Sequence, residues 1–332
     1  MSPGVSSELV EALTAVPGLR PWRRAPLAPF TTVGVGGKAD LLLTADTQEA
    51  VARAVHILSE SEAEWRVLGG GSNIFVADSG YRGVVLKLDD GFHYVEAPRV
   101  PSPRSARVVV GAGLPLSRLA VHVADLGLSG LEFACGIPGS VGGGVVMNAG
   151  AHGRSLADVV ETVYLVTEEG TGWVEGDLLN WGYRTWGLPD TVVVTAAVFR
   201  LVPGDRQEIL QHHRTLLGVR RRSQPRGART FGSAFKNPEG DHAGRLLESC
   251  GLKGVRRGGA QVSPMHANFI SNVGDATAAD VLGLMTMMRG TVHERLAVLL
   301  EPEVHFLGAD FPWERGAGGT SRAGTVHGSE EG

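Results

Sequence analysis

Two glycine-rich stretches of this chain are suited to hold something flat or anionic. The first is GGGSN at 69–73, entered from an apolar run at 65–68 and left through Ile74, Phe75 and Val76. In a strand–glycine–strand turn, successive backbone N–H groups point inward, and Ser72 and Asn73 add donors, so the turn suits an anion. The second is GLSGLEFACGIPGSVGGGVVMNAGAHG at 127–153, where nine of 27 residues are glycine against 47 of 332 overall. A flexible linker would mix glycine with polar residues. Here the glycines alternate with Leu131, Phe133, Ile137, Val141, Val145, Val146 and Met147, so the run has material to pack. Missing side chains in ordered backbone let a ligand lie close to the main chain. Tight turns between buried strands are the competing use of such glycines, and the density of the run favours the ligand. Two cationic features accompany the loops. Arg184 sits in WGYRTW at 181–186, where it is either a stacked surface cation or a buried one awaiting an anion. Arg220, Arg221 and Arg222, with Arg226 and Arg229 nearby, either complement a helix end or clamp a diphosphate.

Several familiar motifs fail on inspection. Gly36-Gly37-Lys38 is followed by Ala39 rather than Ser or Thr, so it is no P-loop. Gly111-x-Gly113 has Leu116 where a dinucleotide fingerprint needs its third glycine, and Asp125 comes too soon for the ribose contact. His293-Glu294 has Ala297 where a zinc-protease helix needs its second histidine, and no Cys/His cluster stands at zinc spacing, so no metal is expected.

Composition narrows the class further. A net charge of −4, from 31 basic and 35 acidic residues, shows no basic excess for nucleic acid. No apolar stretch approaches the ~18 residues of a membrane span, and the first residues lack a signal-peptide pattern. Two cysteines without CxxC, Cys135 and Cys250, fit the reducing cytoplasm. At 332 residues, two or three domains are expected.

The elements that must position these features follow from periodicity and breakers. Helices are expected over 9–16, over 46–58 with Asp46 as N-cap, after the turn at 111–113, over 206–222, over 243–250, and over 275–300 with Asp275 as N-cap. Strands are expected at 65–68, 74–76, 84–88, 107–111, 159–167, 172–175, 191–201 and within LEPEVHFLG at 300–308, the stretch 191–201 being apolar enough to be buried on both faces. Pro203-Gly204-Asp205 marks a boundary. The division reads as a peripheral segment 1–25, units at 26–92, 93–203 and 204–312 with 300–312 returning to the first of them, and a disordered tail 313–332.

At this point separate blocks coincide. GGGSN at 69–73, GLEFACGIPGSVGGGVVMNAGA at 130–151, GYR at 182–184, GSAFKNP at 232–238, GLKG at 251–254, GGAQVSPMHANFI at 258–270 and LEPEV at 300–304 occur in one order at one spacing. Together they resemble the UDP-N-acetylenolpyruvoylglucosamine reductases over about 30–308. The resemblance implies an α+β fold: a two-domain FAD-binding unit of the vanillyl-alcohol-oxidase type, 26–92 and 93–203, plus an α/β substrate-binding domain, 204–312. It implies NADPH-dependent reduction of UDP-N-acetylglucosamine enolpyruvate to UDP-N-acetylmuramate for peptidoglycan, through non-covalent FAD. A cytoplasmic monomer or weak homo-oligomer, without nucleic-acid or membrane partners, is expected.

By the same resemblance, Gly69, Gly70, Gly71, Ser72 and Asn73, with Gly136, Ile137, Pro138, Gly139, Ser140, Gly142, Gly143, Asn148 and Ala149, hold FAD. Ser233 corresponds to the proton donor, Arg184 to the arginine on the substrate carboxylate and Glu303 to the catalytic glutamate. Tyr183, Arg221, Asn237 and Gln261 are the expected substrate contacts. The interval from Arg184 to Ser233, 49 residues, is too short for the substrate-capping loop of some members, which marks the second, loop-lacking type. His152, Trp186 and Cys135 depart from the usual Tyr, Ser and Ser. FAD loops alone would also suit another oxidase or dehydrogenase of this fold. A non-catalytic UDP-sugar-binding protein would be expected to lose Arg184, Ser233 or Glu303, all of which are present.

Overall fold

A computed structural model describes residues 4–313. The expected disordered tail falls, apart from Trp313, outside the described residues. Two sheets carry the first two thirds of the chain. The first runs in the order Leu19–Arg23, Ala39–Ala45, Tyr81–Leu88, Trp65–Val67, with the last three parallel and the N-terminal strand an antiparallel edge. The second is antiparallel, in the order Thr171–Glu175, Val160–Val166, Val193–Pro203, Ser105–Gly111, Arg99–Ser102. One continuous apolar cluster joins them, from Leu9 and Leu13 of helix Ser7–Thr14 through Val51 and Leu58 of helix Gln48–Ser59 to Leu116 and Phe199. The first 25 residues thus contribute core and an edge strand, beyond the peripheral role read for them.

The last third forms an antiparallel sheet, Arg229–Ser233, Phe269–Asn272, Ala260–Val262, Arg256–Arg257, backed by helices Ala243–Ser249 and Ala278–Leu296. Met285 and Met288 of the long helix are fully buried in its core. Phe75 enters that core from the first unit, stacked on Phe306 with ring centroids 4.4 Å apart. The strand His305–Leu307 then returns to the first unit and pairs in parallel with Ile74–Val76.

Three expectations are corrected. The helix at 48–59 is capped by Thr47, whose side chain accepts from Ala50 N, because Asp46 is engaged by Arg20. The long C-terminal helix begins at Thr277, where Thr277 and Asp280 form a reciprocal capping box, rather than at Asp275. The strand Val193–Pro203 is buried on both faces only to Ala197 and then alternates, leaving Arg200 and Val202 exposed. None of the helices among the described residues is long and apolar enough to cross a membrane.

Candidate active site

The two glycine loops face one another, and their glycines are demanded largely by that approach. A Cβ on Gly70 would lie 2.6 Å from Gly139 Cα, and one on Gly139, at φ +103°, would lie 2.6 Å from Ser72 Oγ. The second loop does not end as a series of turns. Ser140 caps a short helix, Val141–Val146, by accepting from Gly143 N, a helix that glycine content had concealed. Gly143 is different in kind, since a Cβ there would meet only Ser140 Oγ at 3.4 Å, and it faces open space.

That space is a cavity of ≈ 710 Å³, within the range of cofactor sites. The first loop supplies Gly69 to Asn73, and the second Ile137 to Ser140, Gly142, Gly143 and Ala149. Arg184, Ser233 and Glu303 line the same cavity. The glycine backbone, the cavity size and the cationic wall fit FAD. Gly136 and Asn148 do not line the cavity. A Cβ on Gly136 would press on Leu217 and on Arg220, 3.1 and 3.3 Å away, so this glycine admits the helix Arg206–Ser223. Asn148, 9 % exposed, instead donates Nδ2–H to Gly182 O (3.0 Å) and accepts from Ala157 N (3.1 Å).

Arg184 has left-handed backbone, φ +61°, in a tight turn closed by Gly182 N donating to Thr185 O. Its guanidinium lies over the Tyr183 ring, 5.1 Å from the centroid, and Nε donates to Glu303 Oε1 at 2.6 Å. Arg184 thus combines the two uses open to it: it is stacked on exposed Tyr183, and it is a half-buried cation, already paired. Burial pushes the Glu303 carboxyl above its ordinary value although Arg184 pulls it down. The main chain of Glu303 is held from both sides: its N–H donates to Ala234 O (2.9 Å), and its carbonyl accepts from Asn73 Nδ2 (3.1 Å). Ser233 is fixed through its neighbours, because buried Asn268 pairs with Phe235 by both side-chain atoms while its carbonyl accepts from Ala234 N.

The expected substrate contacts do not line the cavity. Tyr183 and Asn237 are exposed and stand together, Asn237 N donating to Tyr183 Oη (3.5 Å), while Asn237 Oδ1 accepts from Ala243 N at the start of a helix. Gln261 lies on the far sheet, donating to Gly254 O, and does not line the cavity. Arg221 is exposed and points elsewhere; Arg220 lines the cavity in its place, its guanidinium pKa pulled down by burial. The inward face of that helix, Ile209, His213, Leu217 and Arg220, repeats every three to four residues and would have selected Arg220 over Arg221. Arg66, Lys87 and Asp190 also line the cavity and carried no motif, and Trp186 of WGYRTW lines it too.

Comparison with known proteins agrees with this geometry. Residues 224–307 match the model described as UDP-N-acetylenolpyruvoylglucosamine reductase, C-terminal domain, and residues 39–174 match an FAD binding domain. The chain is 48% identical over 286 residues to the UDP-N-acetylenolpyruvoylglucosamine reductase of Anaeromyxobacter sp. (strain Fw109-5), covering 86% of this chain and 88% of that one. It is 40% identical to that of Bacillus subtilis (strain 168), covering 86% and 93%. The crystal structure of the Thermus caldophilus reductase superposes with a TM-score of 0.75 at 38% identity, covering 87% of this chain and 99% of that one.

Proposed function

The chain belongs to the UDP-N-acetylenolpyruvoylglucosamine reductase family, and on that premise we propose how its residues divide the work. It reduces UDP-N-acetylglucosamine enolpyruvate to UDP-N-acetylmuramate, a precursor of peptidoglycan, with NADPH and FAD. Bound FAD supplies the hydride, taken first from NADPH. The backbone of Gly69–71 and of 137–143, with Ala149, would hold it, and Gly143 would leave room for it. Arg184 takes the substrate carboxylate, where addition of hydride to the vinyl carbon drives negative charge, so a fixed cation there lowers the barrier. Glu303 keeps that cation aimed and its Nε occupied. Ser233 gives its hydroxyl proton to the neighbouring carbon; a serine can do so because the enolate it meets is strongly basic. Arg220 adds a second buried cation for the cofactor or the nucleotide phosphates, the part first given to Arg221. Tyr183 and Asn237 are the proposed outer contacts for the sugar nucleotide.

The observation that carries this reading is that Arg184, Ser233 and Glu303 line the same cavity as both glycine loops. Between Arg184 and Ser233 the chain is spent on the strand Val193–Pro203 and the helix Arg206–Ser223, in keeping with a loop-lacking member. We take the units 26–92, 93–203 and 204–312 as the working domains, and a monomer or weak homo-oligomer in the cytoplasm as the setting, consistent with two buried free thiols. The purified protein is expected to be yellow and to oxidise NADPH rapidly only when the enolpyruvyl UDP-sugar is added. A colourless protein, or NADPH consumption indifferent to that sugar, sinks the reading.

A further inference from the structure

Each member of the Arg184–Glu303 pair is tied to one of the two glycine loops by one asparagine side chain. Asn73 closes the first loop and donates Nδ2–H to the carbonyl of Glu303, while its own carbonyl accepts from His305 N at 3.0 Å. The tie therefore grips the chain on both sides of Val304. Asn148 closes the second loop and donates Nδ2–H to the carbonyl of Gly182, two residues before Arg184. Its Oδ1 is anchored on Ala157 N, so the amide is braced from behind. Asn148 itself has left-handed backbone, φ +39°, which asparagine tolerates better than most residues.

We propose that Asn73 and Asn148 are positioning residues for the reaction, and that they register the Arg184–Glu303 pair against the loops that hold the cofactor. The inference rests on the reaction assigned above. Both had been read as cofactor ligands, yet the amide group of each is directed to a segment bearing an active-site residue. The physical need is clear. Arg184 sits on a left-handed turn and Glu303 on an extended segment reached 119 residues later. Neither segment belongs to the glycine loops, and a strained turn persists only where its surroundings over-determine it. A side-chain amide from each loop supplies that constraint, and it moves with the loop. The two amides thereby refine the placing of Arg184 and Glu303 against the loops, beside the Glu303 N–H to Ala234 O bond and the pairing of His305–Leu307 with Ile74–Val76. An error of about 1 Å there can cost on the order of 10² in rate.

The test uses the FAD-loaded full chain. Asn73→Ala removes the donor to Glu303. Asn148→Asp removes the donor to Gly182 while keeping a residue that accepts left-handed backbone; Asn148→Gly serves in its place if that variant does not fold. Reoxidation by the enolpyruvyl UDP-sugar should slow at least about tenfold more than flavin reduction by NADPH does. In an Arg184→Ala background, Asn148→Asp should cost much less, since the group it positions is gone. Backbone hydrogen exchange gives a readout independent of turnover: it should rise about tenfold or more at 303–305 in Asn73→Ala and at 182–185 in the Asn148 variants, and not in the strand Val193–Pro203. Equal slowing of both half-reactions, full additivity with Arg184→Ala, or exchange that is unchanged or raised throughout would overturn the proposal. A parent chain that ignores the enolpyruvyl sugar would refute the assigned reaction instead, and the exchange pattern would still decide whether the two amides hold these segments.

Discussion

Arg184 Nε meets Glu303 Oε1 at 2.6 Å, with the two side chains only 22% and 11% exposed. A pair so far from water is costly to break on one side only, because the survivor is left charged and unpaired. Glu303→Gln keeps the shape and removes the charge. We expect the reoxidation of reduced flavin by substrate to fall by on the order of 10²–10³, the usual loss when a group stabilising developing charge is disturbed. Stopped-flow spectroscopy of that half-reaction checks it, and a variant within threefold of the parent would contradict the role given to the pair.

Ser233→Ala removes the proposed proton donor. NADPH should reduce the flavin as before, while turnover on the enolpyruvyl sugar slows by about 10² or more. Equal damage to both steps would show that Ser233 supports the fold or the cofactor instead.

Glu303 also sets a pH dependence. Its carboxyl titrates above the usual value of 4.5 because burial outweighs the pull of Arg184. As pH falls, it is protonated earlier than an ordinary glutamate, the ion pair is lost, and the substrate half-reaction should decline from above 4.5 downward. Stability runs the other way. The folded chain holds that proton more tightly than the unfolded one, so this contribution is present at low pH and lost as pH rises through the raised value. Denaturant midpoints across the weakly acidic range should show a falling component in the parent that is missing in Glu303→Gln.

The two neighbouring arginines separate cleanly. Arg220→Met should weaken FAD retention or raise the KM for the UDP-sugar at least about tenfold, as loss of a desolvated cation facing an anion does. Arg221→Gln should leave both within about twofold, since that side chain is exposed. The opposite ranking would return the role to Arg221.

Asp78 bridges the first and last thirds of the chain by accepting from Ala278 N and Ala279 N, at 2.8 and 2.9 Å, at the start of the helix Ala278–Leu296. Asp78→Ala should destabilise the protein by about 1–2 kcal/mol, read as a lower urea midpoint, with kcat little changed.

What could be read from residues alone follows from where the physics is local. The strand 193–203 and the helix 206–223 are announced by β-branched and amphipathic runs, and the two loops by glycine. The boundary residues were missed where side chains had other partners, as Asp46 did with Arg20. Helix Val141–Val146 was hidden because its glycines oppose helix formation, and its cap and neighbours override that preference. The choice between Arg220 and Arg221 required the inward face of a helix to be known. Asn73 and Asn148 could not have been read correctly from spacing, because their partners lie 230 and 34 residues away.

The parallel pairing of His305–Leu307 with Ile74–Val76 has a consequence for synthesis. Glu303 is delivered by a strand whose partner was made more than two hundred residues earlier. While the ribosome still holds the last part of the chain, the glycine loops and Arg184 are already in existence, but the carboxylate that steadies Arg184 is not. The closing strand also lines the cavity through His305, Phe306 and Leu307, so both the ion pair and that side of the cavity are completed together, by the last strand of the described chain.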